Sequence, residues 1–149
     1  MHHLISVRPA LALLAVAGIL TLSARASAED RPHASRGTAQ FVSPTEFVGS
    51  GIGTHLGIYT EAGSVQFLPT ADPIVLQIDG WSVYTASSGD ELHALISGQL
   101  NRQTGAITAT VTYVGGTGRF ENAEGTAALA AQIQPDGSIV AGVAGTIDY

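Results

Sequence analysis

From Thr38 onward, short runs of alternating apolar and polar positions fill the chain. The runs are rich in Val, Ile, Thr and aromatic residues, and a period of two is the pattern of a half-buried strand. Turn residues separate the predicted strands, which cover residues 38–48, 53–61, 64–68, 74–78, 81–86, 91–100, 106–114, 125–133 and 138–148. Short strands at such regular spacing predict an all-β sandwich or barrel.

Residues that favour turns mark the ends of these runs. The sharpest signal is Asp79-Gly80, which readily adopts a type I′ turn and would pair residues 74–78 with residues 81–86 in a hairpin. Similar signals occur at Ala62-Gly63, Ser88-Gly89-Asp90, Thr104-Gly105 and Pro135-Asp136-Gly137. Two segments leave a helix open as an alternative: the alanine-rich residues 121–134, and residues 88–97, which begin with capping-box spacing.

The N-terminal residues have the pattern of a secretory signal peptide. Arg8 precedes an uncharged apolar run from Ala10 to Leu22, and Ala26-Ser27-Ala28 forms an A-x-A cleavage site. The run has 13 residues, whereas a helix that spans a bilayer needs roughly 20. Cleavage is therefore favoured over the alternative of an uncleaved membrane anchor.

Three segments follow from this interpretation. Residues 1–28 are the signal peptide, residues 29–37 are a polar, flexible leader, and residues 38–149 are the folded domain. The mature protein is expected to be secreted or periplasmic after cleavage near Ala28.

Charge and cysteine content exclude some partners and narrow the fold. Residues 29–149 contain twelve acidic residues, four arginines and no lysine, which gives a net charge near −8. Such a surface repels phosphate backbones and anionic lipid, so we expect no nucleic-acid partner. The chain has no cysteine, which excludes disulfides and a lipid-modified cysteine anchor. A closed barrel would stabilise a small fold without disulfides, because it leaves no sheet edge unpaired.

The glycine cluster Val114–Ala127, VGGTGRFENAEGTA, is a candidate phosphate-binding loop, but it lacks residues that such loops require. A dinucleotide-binding loop needs a third glycine where the chain has Arg119, Phe120 and Glu121. A Walker loop needs a lysine, and the chain has none. The glycines are better explained as positions of positive φ in a wide turn, with Phe120 tucked back as a plug.

The same stretch carries a family resemblance. GGTGRFENAEGTA, followed by a strand, a PDG turn and the closing GTIDY, resembles the allene oxide cyclase and dirigent superfamily, and above all its exported bacterial members. GTHLGIYTEAG at Gly53–Gly63 and SSGDELHALISG at Ser87–Gly98 extend the resemblance to most of Thr38–Tyr149. It implies a single antiparallel, eight-stranded, up-and-down β-barrel with an apolar lumen, while the runs themselves leave eight or nine strands open. It also implies a homo-oligomer, trimer or dimer, and catalysis by confinement of a reactive guest. The functional residues of the relatives cannot be matched here.

Candidate ligand-binding residues come from the chain itself. Period-two alternation places His55, Tyr59 and Glu61 on one face of a strand, where they could bind or polarise an oxygen-bearing molecule. The alternative is that Tyr59 fills the core while His55 and Glu61 lie in water at the rims. Among the scarce large side chains are Trp81 and Tyr113, with Tyr84 and Phe67, which would fill the core or line a cavity.

No spacing of histidines and carboxylates suggests a zinc site, and we expect no metal and no cofactor. His93 is expected at the surface or rim. The serines in VGSGIG and ASSGD lack the context of a nucleophile motif, and both stretches are typical of loops.

Together these patterns predict an exported small barrel that binds a small apolar or oxygenated molecule. Small inward side chains would leave a lumen of a few hundred Å³. The activity would be isomerase-like or cyclase-like, without a cofactor, or stereo-directing. The alternative is a non-catalytic carrier or a structural barrel. An outer-membrane barrel is less favoured, because nine aromatic residues cannot build two girdles around eight strands, and stable membrane insertion is not expected.

Overall fold

The computed structural model describes residues 30–149, which form eight strands and one short helix. The strands are β1 (Arg31–Phe41), β2 (Glu46–Gly53), β3 (Gly57–Pro69), β4 (Val75–Ala86), β5 (Glu91–Asn101), β6 (Ala106–Gly116), β7 (Glu124–Ile133) and β8 (Ile139–Asp148). The single 3₁₀ turn of the described residues, Gly118–Phe120, lies between β6 and β7. The predicted signal peptide, residues 1–28, lies outside the described residues.

The strands close into one antiparallel barrel in which each strand pairs with its neighbours in sequence and β8 pairs with β1. The register fixes how steeply the strands tilt. If paired residues are followed from strand to strand once around the barrel, starting at Ile58 in β3, the path returns to β3 at Leu68, ten residues further along the strand. In eight strands this stagger corresponds to a tilt of about 40°. The predicted all-β class, eight strands and antiparallel barrel are confirmed.

The predicted flexible leader is wrong for Arg31–Gly37. These residues are the first part of β1 and pair with β8 from Arg31↔Ile147 to Ala39↔Ile139. They close the barrel, because without them the edge of β8 would be unpaired. The predicted strand 38–48 is divided accordingly, with a tight turn at 42–45 between β1 and β2.

Two predicted turns, Asp79-Gly80 and Ala62-Gly63, lie instead in the middle of β4 and β3. Both glycines face the lumen at points of close approach. A Cβ on Gly80 would overlap the Ser64 carbonyl oxygen, and one on Gly63 would overlap the Phe47 ring. Glycine inside a strand can mark such an approach as well as a turn, and here the approach decides the structure.

The other sequence signals have mixed outcomes. Gly89, Gly105 and Gly137 have φ angles of 90°, 74° and 85° in turns between strands, as predicted. Both segments with a helical alternative are strands, β5 and β7. VGSGIG, described above as typical of a loop, belongs to β2. No helix of the described residues is long and apolar enough to cross a membrane.

The glycine-rich connection after β6 closes one end of the barrel. Gly115 and Gly118 have φ angles of 98° and 56°, which glycine adopts without the steric cost of a Cβ. Phe120 is completely buried there and packs edge-on against the Tyr149 ring, with 5.0 Å between centroids. The predicted plug is confirmed. The start of β1, the end of β8, the β2–β3 turn and the β4–β5 turn share this closed end.

Candidate functional site in the barrel lumen

A cavity of about 80 Å³ lies in the half of the lumen away from the Phe120 plug. Its walls are almost wholly apolar. The lining residues are Ala39, Phe41, Phe47, Glu61, Val65, Phe67, Ile78, Ile96, Ile107, Leu129, Ala131, Ile139 and Ala141. Phe41 and Phe67 are half-buried at the ends of their strands and form the mouth of the cavity.

The cavity is smaller than the few hundred Å³ predicted. The prediction assumed that the inward side chains are mostly small, whereas most aromatic residues face the lumen and Ala128, Ala130 and Ala144 of β7 and β8 face solvent. Phe41 contacts Phe47 and Phe67, with ring centroids 6.2 Å and 5.9 Å apart. These three rings occupy much of the space that small side chains would have left open.

Glu61 is the one ionisable side chain among the residues that line this cavity. It lies in the middle of β3, on the inward face with Tyr59, Gly63 and Val65. The residue is half-buried, and because it lines the cavity, the surface it keeps faces the lumen. Burial raises the pKa of the Glu61 carboxyl, since the charged form is poorly solvated there.

Two hydroxyl groups of β4 lie beside this carboxyl. Ser82 and Tyr84 both favour the ionised form and so oppose part of the effect of burial on the Glu61 pKa. Ser82 Oγ is buried and has no hydrogen-bond partner among the described residues. The two observations fit a hydroxyl that lies near the carboxyl without reaching hydrogen-bond geometry. A buried hydroxyl without a partner is costly, but Ser82 does not line the cavity, so a ligand in the lumen would meet Glu61 and not this hydroxyl.

Tyrosines surround the inner side of Glu61. The rings of Tyr59 and Tyr84 meet edge to face, with centroids 5.4 Å apart. Burial raises the pKa of Tyr59, Tyr84 and Tyr113, and the nearby Glu61 charge contributes in each case. These phenols therefore stay protonated at neutral pH, and they can donate hydrogen bonds but supply no base.

The ring of Tyr59 explains one glycine of β2 and one of β1. A Cβ on Gly51 would overlap the Tyr59 ring carbon Cζ and hydroxyl, and one on Gly37 would crowd the same hydroxyl at 2.9 Å. These two glycines thus make room for an inward tyrosine. The predicted site residue Tyr59 is buried in the wall next to Glu61, as is Tyr113 further toward the closed end.

Two other predicted site residues lie outside the lumen. His55 is in the β2–β3 turn with φ of 69°, so the strand alternation that aligned it with Tyr59 stops before it. Its Nε2 lies 2.9 Å from the Pro32 carbonyl oxygen, and its Nδ1 lies 3.0 Å from the Tyr149 hydroxyl. Trp81 is on the outer face of β4 and is 50% exposed. Neither residue contributes to a lumen site.

His33 belongs to a cluster at the closed end that the sequence interpretation missed. Its ring is buried, stacks on His55 at 6.1 Å and meets Tyr113 edge-on at 5.4 Å. Its Nδ1 has no hydrogen-bond partner among the described residues. Burial, together with the neighbouring His55, lowers the pKa of His33. The signal available in the sequence was a histidine at an inward position of a strand, but the strand itself was not recognised.

No group of three or more metal-ligating side chains is found among residues 30–149. His93 lies on the outer side of β5 and pairs with Glu91, with 3.2 Å between Nε2 and Oε2.

Comparisons of the chain with protein-family models, with curated proteins and with solved structures find no match. The resemblance to the allene oxide cyclase and dirigent superfamily thus rests on the sequence motifs alone.

Proposed function

We propose that this protein binds a small apolar or oxygen-bearing molecule in its lumen, with Glu61 as the group that recognises it. The observation that carries the proposal is a single carboxyl in an otherwise apolar cavity. Ligand sites commonly combine apolar walls with a few polar groups that fix orientation. A carboxyl with no structural partner of opposite charge has a stability cost, which favours a role in binding or chemistry over a role in folding.

The carboxyl suits acid–base chemistry on a confined guest. With a raised pKa, Glu61 can hold its proton and donate a hydrogen bond to a ligand oxygen, or transfer the proton as a general acid. An isomerisation or cyclisation would then depend on positioning, with Glu61 giving a proton to the guest and taking one back from it, without a cofactor.

A non-catalytic carrier is the second candidate, and the size and composition of the cavity favour it. About 80 Å³ holds only a compact guest, and the cavity contains no second acid–base group to complete a proton relay. The same fold and the same Glu61 hydrogen bond would serve a protein that only stores or transports its ligand.

Native mass spectrometry of protein purified from its own host tests the shared part of both candidates. We expect a co-purifying small molecule that is lost in Glu61→Leu and retained in Glu124→Leu, a matched change on the outer face of β7. A barrel that is empty in every preparation would contradict ligand binding. Conversion of the released molecule by the wild type, and not by Glu61→Gln, would separate enzyme from carrier.

We further propose export, membership of the allene oxide cyclase and dirigent superfamily, and a trimer or dimer. The signal-peptide pattern supports export. Exposed apolar residues on the outer face, such as Ile58 and Trp81, support self-association. Intact mass should show a mature protein that begins at Glu29, and sedimentation should show more than a monomer. A retained N-terminus or a strict monomer would contradict these proposals.

A further inference from the structure

We propose that the lumen selects compact, neutral molecules that carry one hydrogen-bond-accepting oxygen, and that it rejects carboxylate anions. This inference rests on the proposed function and adds the chemical class of the ligand. It follows from three features of the described residues: the absence of a cation among the residues that line the cavity, the single carboxyl among them, and the volume of the cavity.

None of the four arginines among residues 30–149 lines the cavity, and the chain has no lysine. Arg36 is exposed on the outer face of β1, and Arg102 is exposed at the end of β5, where its side chain is 3.5 Å from the Pro73 carbonyl oxygen. Arg31 and Arg119 lie at the closed end, over the Tyr149 and Phe120 rings. An anionic ligand would therefore enter an apolar space beside Glu61 with no counter-charge, which is costly.

A neutral oxygen meets the opposite situation. When it is protonated, Glu61 offers one O–H donor to the lumen. Ser82 is 1% exposed and does not line the cavity, so Glu61 is the polar group that a ligand oxygen meets. A carbonyl or ether oxygen would receive a hydrogen bond from Glu61. A pure hydrocarbon would leave this donor without a partner in the lumen.

The volume limits the rest of the molecule. One water molecule needs about 10–15 Å³ of cavity volume. A cavity of about 80 Å³ therefore accommodates a small ring or a short chain. A larger guest would have to displace Phe41 and Phe67 from the mouth.

Three probes with a five-membered ring separate the possibilities: cyclopentanone and methylenecyclopentane, which match in shape, and the larger cyclopentanecarboxylate, which carries the charge. Methylenecyclopentane replaces the ketone oxygen by a CH₂ group and so keeps the shape without the acceptor. Binding is measured on the full mature protein by NMR, from the methyl signals of Ile78 and Ile96 in the cavity wall, with Ile58 on the outer face as internal control.

We expect the ketone to bind about 3- to 10-fold more tightly than the alkene, which corresponds to one net hydrogen bond, and the carboxylate to leave the cavity methyls unchanged. The ratio should fall to near one in Glu61→Leu, while Glu61→Gln, which keeps the shape and an N–H donor, should retain a preference. Glu124→Leu should behave as wild type.

The outcomes distinguish this inference from the proposed function. Equal binding of ketone and alkene, or binding of the carboxylate at the ketone's affinity, would overturn the selectivity while lumen binding stands. If no probe shifts the cavity methyls, lumen binding itself fails. If Glu61→Leu does not fold, the ketone-to-alkene ratio in wild type and Glu61→Gln still decides the question.

Discussion

Replacing Phe120 by alanine tests whether the glycine-rich turn is a structural plug. Phe120 is completely buried, and its ring meets the Tyr149 ring and lies under the Arg119 guanidinium, which is 4.8 Å from its centroid. Gly115 and Gly118, which adopt positive φ angles, lie just before it in the chain and shape the turn that places it. If the turn exists to seat this ring, the ring should contribute a large share of the stability.

The expected magnitude follows from burial. Truncation of a fully buried phenylalanine costs about 3–5 kcal/mol, and the aromatic pair with Tyr149 favours the upper part of that range. We therefore expect a loss of about 4 kcal/mol, against the roughly 5–15 kcal/mol that a domain has in total. For a chain of this length each kcal/mol lowers Tm by about 3–5 °C, so Tm should fall by about 10–20 °C.

Urea unfolding followed by circular dichroism and by Trp81 fluorescence measures this loss directly. The same change at Phe67, a half-buried ring at the open end, is the matched control and should cost about 1–2 kcal/mol. Phe120→Leu should recover most of the stability, because it refills much of the volume. A loss below about 1 kcal/mol for Phe120→Ala, or equal losses at the two ends, would refute the plug.

Three further predictions concern single residues of the lumen wall and the closed end. Burial raises the folded-state pKa of Glu61 above 4.5. The wild type should therefore lose stability relative to Glu61→Gln as the pH rises from 4.5 through the folded pKa. The loss is about 1.4 kcal/mol for each unit by which the folded and unfolded pKa values differ. Urea titrations across that range measure the difference, and parallel pH profiles would contradict it. Burial lowers the pKa of His33 below 6.5, so the folded protein should lose stability as the pH falls from 6.5 through the folded pKa. His33→Phe should remove this pH dependence. A wild type whose stability does not change over this pH range would count against a neutral buried histidine. Gly80→Ala should destabilise by about 1–3 kcal/mol in thermal melts, because its Cβ would overlap the Ser64 carbonyl oxygen, whereas Gly142→Ala, with open space around it, should be nearly neutral.

The fold class was predictable because period-two alternation is a local property of the chain. The division into strands was harder, since Asp79-Gly80 has the same sequence whether it turns the chain or lets two strands approach. In an up-and-down antiparallel barrel the first and last strands pair antiparallel, which requires an even number of strands, so nine runs cannot all be separate. This argument does not say which runs join. The structure joins most of residues 53–61 with 64–68 in β3 and residues 74–78 with 81–86 in β4, and it divides residues 38–48 between β1 and β2.

Residues 31–37 could not be recognised from local pattern for a different reason. Their pairing partners in β8 are more than one hundred residues away, and such pairings leave no signal in the neighbouring sequence. His33 and its orphaned Nδ1 were lost to the prediction with them. The outward position of Trp81 was open for a similar reason, because alternation divides a strand into two faces without stating which one is inside.

The strand face on which Glu61 lies could be predicted from the sequence, but the surroundings of that face could not. Alternation correctly put Glu61 on the same face as Tyr59, but whether that face meets water or the lumen depends on closure of the barrel. Once closed, the inward row of β3 consists of Tyr59, Glu61, Gly63, Val65 and Phe67, and the carboxyl is the one member that destabilises a dry interior. A glutamine would have nearly the same shape without the charge. The presence of an acid where a neutral isostere would fit is the physical reason behind the proposed role of this position in ligand recognition.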